Sequence, residues 1–138
     1  MAFAAAVATT KTYTLTNSKT DRMWPKLGTA TRYVIKMDTV KTEDGGRTKV
    51  EREDTFIVVT QPKPGVFRAF KGLCTHQLRP LDRWQGNNLI CSQHGAAFDM
   101  TTGANTMPPR NFGNRSVPAL RNFALTIDPK TGIVTITA

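Results

Sequence analysis

The chain has 138 residues, 39% of them hydrophobic, which is enough for one domain with a packed core and too few for two domains of ordinary size. No stretch approaches the roughly 20 consecutive apolar residues of a membrane span, so we expect none. The formal net charge is +9, but the lysines and arginines are scattered and do not interleave with aromatic residues. This pattern argues against nucleic-acid binding and favours an acidic protein partner.

The first 30 residues are predicted to be a tail and loop that precede a single domain at 31–138. The apolar start is short and has no positively charged region in front of it, so we interpret it as a tail rather than a signal peptide. We expect the protein in the cytoplasm; the alternative is an exported or organellar form that has lost its signal. Thr9–Leu15 predicts an edge strand, and 17–30 predicts a loop in which Trp24 fills the core.

The next segments are rich in β-branched and aromatic residues. Thr31–Val40 alternates polar and apolar residues and predicts a strand. Glu43–Gly46 has the composition of a hairpin turn, after which Arg47–Glu53 is predicted to return as a polar strand. The run Thr55–Thr60 is typical of a buried strand, and we expect Val66–Phe70 to pair back onto it.

Both cysteines and both histidines of the chain lie close together in the sequence. They form two pairs, Cys74-Thr75-His76 and Cys91-Ser92-Gln93-His94, separated by the 14 residues 77–90. Thiolates and imidazoles are the ligands of soft and borderline metals, and these four fit either a tetrahedral zinc or a two-iron cluster with cysteine on one iron and histidine on the other. Zinc sites usually pair like with like, whereas each loop here supplies one of each, so the spacing favours the two-iron centre.

Cys-x-His followed by Cys-x-x-His-Gly-x-x-Phe-Asp resembles the Rieske iron–sulfur family. Further matches to the family are Gly95, Phe98-Asp99, Thr102-Gly103 and Met107-Pro108-Pro109. The resemblance covers roughly residues 33–138. It implies one [2Fe–2S] cluster per chain, with Cys74 and Cys91 binding one iron and His76 and His94 binding the other.

The sequence departs from the Rieske proteins of cytochrome bc complexes. Those proteins carry an extra disulfide between the two loops, and the matching positions here hold no cysteine. They also place Ser and Tyr where this chain has Ala96 and Phe98. Because hydrogen bonds to sulfur stabilise the reduced state, their absence predicts a potential near the lower end of the Rieske range, about −150 mV. The hydroxyls that remain as possible donors belong to Thr75 and Ser92.

The end of the chain predicts a final hairpin, formed by 121–128 and 133–137 around a Pro-Lys-Thr-Gly turn. Since no segment shows an amphipathic helical pattern, the predicted fold is all-β and antiparallel, a Rieske-like sandwich or barrel with a small cluster-binding subdomain of two loops. The side chains near the site for which we expect structural roles are Met100, Met107, Asp82 and Asp99.

The resemblance implies one-electron transfer by a soluble, ferredoxin-like carrier that serves a separate redox enzyme, a reductase or an oxygenase. The chain is not expected to be an enzyme, because a Rieske oxygenase needs a second iron with two further histidines, and none exist here. The alternatives are a small electron-transfer subunit of an oxidoreductase complex, and a zinc-bound structural module. Arg79, Arg83 and Arg110 lie in or near the predicted cluster face and are the candidates for docking an acidic partner.

Overall fold

The structure, a computed structural model, describes residues 11–15, 25–75, 79–110, 113, 115–128, 130 and 133–137. Trp24, which was predicted to fill the core, lies outside this part. Within it there are ten β-strands and no helix, which confirms the predicted fold class. The strands are β1 Thr12–Leu15, β2 Ala30–Thr42, β3 Thr48–Lys63, β4 Val66–Lys71, β5 Arg83–Gln85, β6 Asn88–Ile90, β7 Ala97–Asp99, β8 Asn105–Met107, β9 Asn122–Ile127 and β10 Val134–Thr137.

Six strands form an antiparallel sheet in the order β1-β10-β9-β4-β3-β2. Its two edge strands, β1 and β2, approach each other, so that the sheet is nearly closed into a barrel. Side chains span the seam: Lys11 Nζ forms an ion pair with the Asp38 carboxylate, and the Asp38 backbone N–H donates to the Tyr13 hydroxyl at 3.2 Å. The predicted edge strand β1 therefore completes the barrel. The predicted boundary at residue 31 stays a prediction.

The remaining four strands form a second antiparallel sheet in the order β5-β6-β7-β8. This small sheet, together with its loops, is the part of the chain between β4 and β9. Those two barrel strands pair directly with each other through Ala69↔Phe123 and Phe70↔Asn122. The small sheet is thus an insertion between two neighbouring barrel strands. It corresponds to the small subdomain of two loops that the sequence predicted.

Two apolar cores explain the unbroken apolar run in β3. Ile57 and Val59 lie in the core inside the barrel, whereas Val58 lies in the core between the barrel and the small sheet. Both faces of this strand are therefore buried, and consecutive apolar residues are needed. The next residue, the fully buried Thr60, donates its hydroxyl to the Met100 carbonyl oxygen at 2.7 Å and so joins the two sheets.

The structure differs from the prediction in the hairpin of β2 and β3. Arg47–Glu53 and Thr55–Thr60 were predicted as separate strands, but Thr48–Lys63 is one strand of 16 residues. The composition changes from polar to apolar at this point because burial begins there, while the backbone ladder with β2 continues across it through Lys36↔Asp54 and Ile35↔Thr55. The change from polar to apolar residues marks where the strand becomes buried. In the sequence, such a change looks the same as the end of one strand and the start of another.

Candidate metal centre

The two cysteines lie at corresponding places in the fold. Cys74 follows β4 after a short connection and Cys91 follows β6 directly. Their exposed fractions are 2% and 3%, and the two are not joined by a disulfide. His94 is half-buried in the turn after Cys91, while His76 lies outside the described residues. Three of the four predicted ligands are therefore placed, all on loops carried by the small sheet and its junction with the barrel.

The first cysteine loop is closed on itself by backbone hydrogen bonds. The Cys74 N–H donates to the Arg79 carbonyl oxygen at 2.7 Å, and Leu73 forms an antiparallel bridge with Pro80. The Leu81 N–H then donates to the Gly72 carbonyl oxygen at 2.9 Å. The chain thus enters and leaves this loop at adjacent positions, which holds the thiol of Cys74 at the end of a hairpin-like stem.

The second loop is also closed. The Cys91 N–H donates to the Ala96 carbonyl oxygen and the Gly95 N–H donates to the Cys91 carbonyl oxygen, both at 2.9 Å. Gly95 has φ of 75°, a conformation that other residues rarely adopt, so the glycine after His94 is needed for this tight turn. The turn holds the Cys91 and His94 side chains three residues apart on one short loop.

A polar contact joins the two loops. The Asp82 carboxylate, just after the first loop, accepts the backbone N–H of Ser92 at 2.9 Å. Partial burial acts to raise the pKa of Asp82, but hydrogen bonds from Ser92 and from its own backbone, with the charge of Arg83, outweigh it, and the pKa lies below its usual value. The carboxylate therefore stays ionised at neutral pH. Structural roles were expected for both aspartates, and Asp99 likewise accepts the N–H groups of Thr101 and Thr102 in a turn.

A third loop packs on the second one through Arg110. The Arg110 N–H donates to the His94 carbonyl oxygen at 2.9 Å, and its guanidinium Nη2 lies 3.5 Å from the Gln93 carbonyl oxygen. A Cβ placed on Gly95 would lie 2.5 Å from Arg110 Nη1, so the guanidinium covers the glycine. The sequence predicted Arg110 near the site but carried no signal for this packing, because it depends on how the loop folds back.

The surroundings of the thiols are apolar. Cys74 and Cys91 belong to the core between the two sheets, which also contains Ala96, Phe98 and Met100. Met100 is fully buried there. Met107, for which a structural role was also expected, is 59% exposed. It lies on the short edge strand β8, which the sequence did not reveal.

The hydroxyl of Thr75 is hydrogen-bonded to a backbone oxygen. It donates to the Pro118 carbonyl oxygen at 2.6 Å, which ties the first loop to the segment that precedes β9. Ala96 and Phe98, both fully buried, have no hydroxyl. Thr75 and Ser92 carry the two hydroxyls that were predicted as possible donors to sulfur. The hydroxyl of Thr75 donates to Pro118 instead.

The donor set fits an iron–sulfur cluster. Two buried thiols that are not joined to each other, with a histidine on the same loop as the second, supply the ligand types of a Rieske centre. In the part of the chain that the structure describes, no three His, Cys, Asp or Glu side chains come together closely enough to hold a metal ion.

Charge is distributed unevenly around this site. Residues 31–54 carry six acidic and six basic residues, whereas 72–121 carry five arginines and two aspartates. In the hairpin the charges pair with each other, as in the contacts of Lys36 with Asp54 at 2.7 Å and of Lys41 with Glu51 at 3.2 Å. Among the described residues no carboxylate forms an ion pair with Arg79, Arg83 or Arg110, and all three are exposed. The site end of the molecule is therefore positive.

Comparison with known proteins gives one family and a shared fold. The family model of the Rieske [2Fe–2S] domain matches residues 31–121, while no curated protein matches the chain. A chain of the complex of reduced oxygenase and oxidized ferredoxin in carbazole 1,9a-dioxygenase has a TM-score of 0.55 at 20% identity, with 91% of each chain covered. The Sphingomonas yanoikuyae B1 ferredoxin has a TM-score of 0.48 at 24% identity, with 75% of this chain and 99% of its own covered. The former likeness shows a common fold.

Proposed function

Because the chain belongs to the Rieske [2Fe–2S] family, we propose that it transfers single electrons through a [2Fe–2S] cluster held by Cys74, His76, Cys91 and His94. The observation that carries this proposal is the pair of buried, unjoined cysteines at the ends of two closed loops. Thiolates of Cys74 and Cys91 would hold one iron, and the imidazoles of His76 and His94 the other. The cluster supplies a centre that accepts and releases one electron.

The protein chain's own contribution is to hold and shield this centre. The two self-closed loops fix the ligand side chains, and the apolar core around the thiols excludes water from them, which affects the potential of an iron–sulfur centre. The half-buried position of His94 supports an electron exit on the histidine side, where a partner can approach.

We propose a carrier without a catalytic site of its own. The chain has two histidines, and both are assigned to the cluster, so the histidines of a mononuclear catalytic iron are missing. The partner is then a separate redox enzyme, a reductase or an oxygenase. We place the protein in the cytoplasm, where cysteines remain reduced. No helix long and apolar enough to cross a membrane occurs in the described part of the chain.

The docking face is proposed to be the positive end that carries Arg79, Arg83 and Arg110. Complementary charge accelerates the encounter of two proteins and orients them, and these arginines belong to the same loops and strands as the ligands. An acidic surface on the redox partner would meet them. Because the charges of the β2–β3 hairpin pair among themselves, the hairpin offers much less net attraction.

A second candidate is a permanent electron-transfer subunit, and one observation favours it. Val40 and Val50 are directly paired in the β2–β3 hairpin and are 67% and 63% exposed. An apolar pair at the end of a projecting hairpin suits a fixed protein neighbour better than a transient one. The solution mass of the purified protein separates the candidates: a carrier remains a stable, dispersed monomer, whereas an isolated subunit aggregates.

The test of the proposal is a redox titration of anaerobically purified protein followed by electron paramagnetic resonance, with iron, sulfide and zinc analysis. We expect two irons per chain and a one-electron Rieske-type signal that appears only at low potential. Cys91→Ala should abolish the signal, since it removes a thiolate ligand. A protein that contains zinc, is colourless and shows no signal at any potential would overturn the proposal and assign the four residues to a structural zinc site.

A further inference from the structure

In the second cysteine loop, the backbone N–H of Ser92 donates to a residue outside the loop. The Cys91 N–H and the Gly95 N–H are both used to close the loop. The N–H of Ser92, between them, instead points to the carboxylate of Asp82 at 2.9 Å. A carboxylate on a neighbouring element therefore receives the amide that directly follows a cluster ligand.

The backbone of Asp82 is held in place on both sides. Its own N–H donates to the Ile90 carbonyl oxygen at 3.2 Å, and the preceding Leu81 N–H donates to Gly72 at 2.9 Å. The Leu81 side chain is 2% exposed, and the next residue, Arg83, pairs with Ile90 at the start of β5. Backbone bonds on both sides and a buried neighbour thus fix the backbone of Asp82, from which its exposed carboxylate reaches the Ser92 N–H.

We propose that Asp82 is a positioning residue for the cluster, which ties the Cys91 loop to the exit of the Cys74 loop and keeps a fixed negative charge beside Cys91. The inference rests on the proposed function, because it requires the two cysteines to be ligands. The chain has no cysteine beyond these two, so the loops cannot be joined by a disulfide. The hydrogen bond from Ser92 to Asp82 joins the loops in place of a disulfide, and a hydrogen bond to an ionised carboxylate is stronger than one between neutral groups.

Two effects follow from this geometry. First, the tie restrains the second loop against opening, and opening of a ligand loop precedes loss of iron. Second, the carboxylate disfavours the reduced state, because its charge opposes the addition of an electron and because it takes an N–H that would otherwise be free to turn toward a sulfur. Asp82 should therefore slow cluster loss and lower the reduction potential.

The experiment compares three variants of the cluster-containing protein. Asp82→Asn keeps a hydrogen-bond acceptor and removes the charge, whereas Asp82→Ala removes both. Asp128→Asn is the matched control, because its carboxylate also accepts a nearby backbone N–H, from Lys130 at 2.8 Å. Asp128 directly follows the far end of β9, about 20 Å from the insertion by the rise of a strand. The readouts are the midpoint potential and the rate of iron release to a chelator, followed by visible absorption.

We expect the midpoint potential to rise in Asp82→Asn and not in Asp128→Asn. Iron release from Asp82→Ala should be roughly tenfold faster than from the unaltered protein, as expected for loss of a hydrogen bond to a charged group. If either the potential of Asp82→Asn or the release rate of Asp82→Ala equals that of Asp128→Asn, the inference is overturned. Should Asp82→Ala fail to fold, as judged by far-ultraviolet circular dichroism, the inference is decided by the potential of Asp82→Asn.

This result can be separated from the fate of the proposed function, because neither readout involves a redox partner. If the unaltered protein contains no iron–sulfur cluster, the proposed function fails and the inference fails with it. If the cluster is present and the Asp82 variants behave like the control, the inference alone fails.

Discussion

Thr75 donates its hydroxyl proton to the Pro118 carbonyl oxygen, so this proton is not directed at a cysteine sulfur. The side chains of Ala96 and Phe98, at the positions where high-potential relatives carry hydroxyls, lie in the apolar core around the thiols. The absence of these hydroxyl donors supports the expected low potential, since fewer hydrogen bonds to sulfur leave the reduced state less stabilised.

We therefore expect Ala96→Ser to raise the reduction potential. One added hydrogen bond in the reduced state, at about 1 kcal/mol, corresponds to about 40 mV at the ~59 mV per tenfold change of a one-electron couple. The measurement is a redox titration monitored by visible circular dichroism. Thr75→Val is the comparison variant: it should leave the potential unchanged while lowering the melting temperature by a few degrees. A fall in potential in Thr75→Val would show that this hydroxyl does reach a sulfur.

At the scale of elements, the turn between β7 and β8 packs closely against the large sheet. Gly103 has φ of 78°, and a Cβ placed on it would lie 2.9 Å from the ring of Phe70 in β4. Its carbonyl oxygen also accepts the Leu120 N–H at 2.9 Å. The turn thus has the fully buried Phe70 ring on one side and a backbone hydrogen bond on the other.

Gly103→Ala should destabilise the protein more than Gly45→Ala. Both glycines have positive φ, 78° and 85°, but nothing lies within 4 Å of a Cβ on Gly45. We expect Gly45→Ala to cost about 1 kcal/mol through backbone strain, and Gly103→Ala a further 1–3 kcal/mol, approximately, through the clash with Phe70. Urea unfolding of the three proteins, prepared identically, measures the difference. Equal losses would show that the ring moves aside freely.

Elements with regular alternation were predictable from the sequence, and contacts between distant elements were not. The final hairpin and β2 repeat every second residue, so their positions follow from periodicity. The four ligand candidates follow from chemistry, because the chain has no other thiol or imidazole. In contrast, the Asp82–Ser92 bond and the packing of Arg110 on Gly95 depend on where loops meet after folding. Strand β8 was missed because its three residues carry no period.

At the scale of the whole molecule, the separation of charge should govern the rate at which small oxidants take up the electron. We expect oxidation of the reduced protein by anionic ferricyanide to slow by roughly tenfold between about 0.01 and 0.15 M salt, because the positive end is screened. Oxidation by cationic hexaammineruthenium(III) should accelerate instead. Stopped-flow absorption at each salt concentration gives both rates.

The matched variants for this experiment are Arg83→Gln and Arg47→Gln. Both arginines are exposed, but Arg83 begins β5 beside the cysteine loops, whereas Arg47 lies at the turn of the β2–β3 hairpin. Only the former should weaken the salt dependence with ferricyanide. The same salt dependence in both variants would mean that the electron does not leave at the arginine-rich end, and the proposed docking face would be wrong.

The point at which the small sheet joins the barrel has a consequence for how such a molecule can change over evolution. The Lys71 N–H donates to the Arg121 carbonyl oxygen at 2.9 Å, so the two ends of the insertion are neighbours, and the strands beyond them are already paired. Loops within the insertion can lengthen, shorten or be replaced without moving the register of any barrel strand. The redox properties and the partner-binding loops can therefore diversify while the strand pairing and register of the barrel stay unchanged.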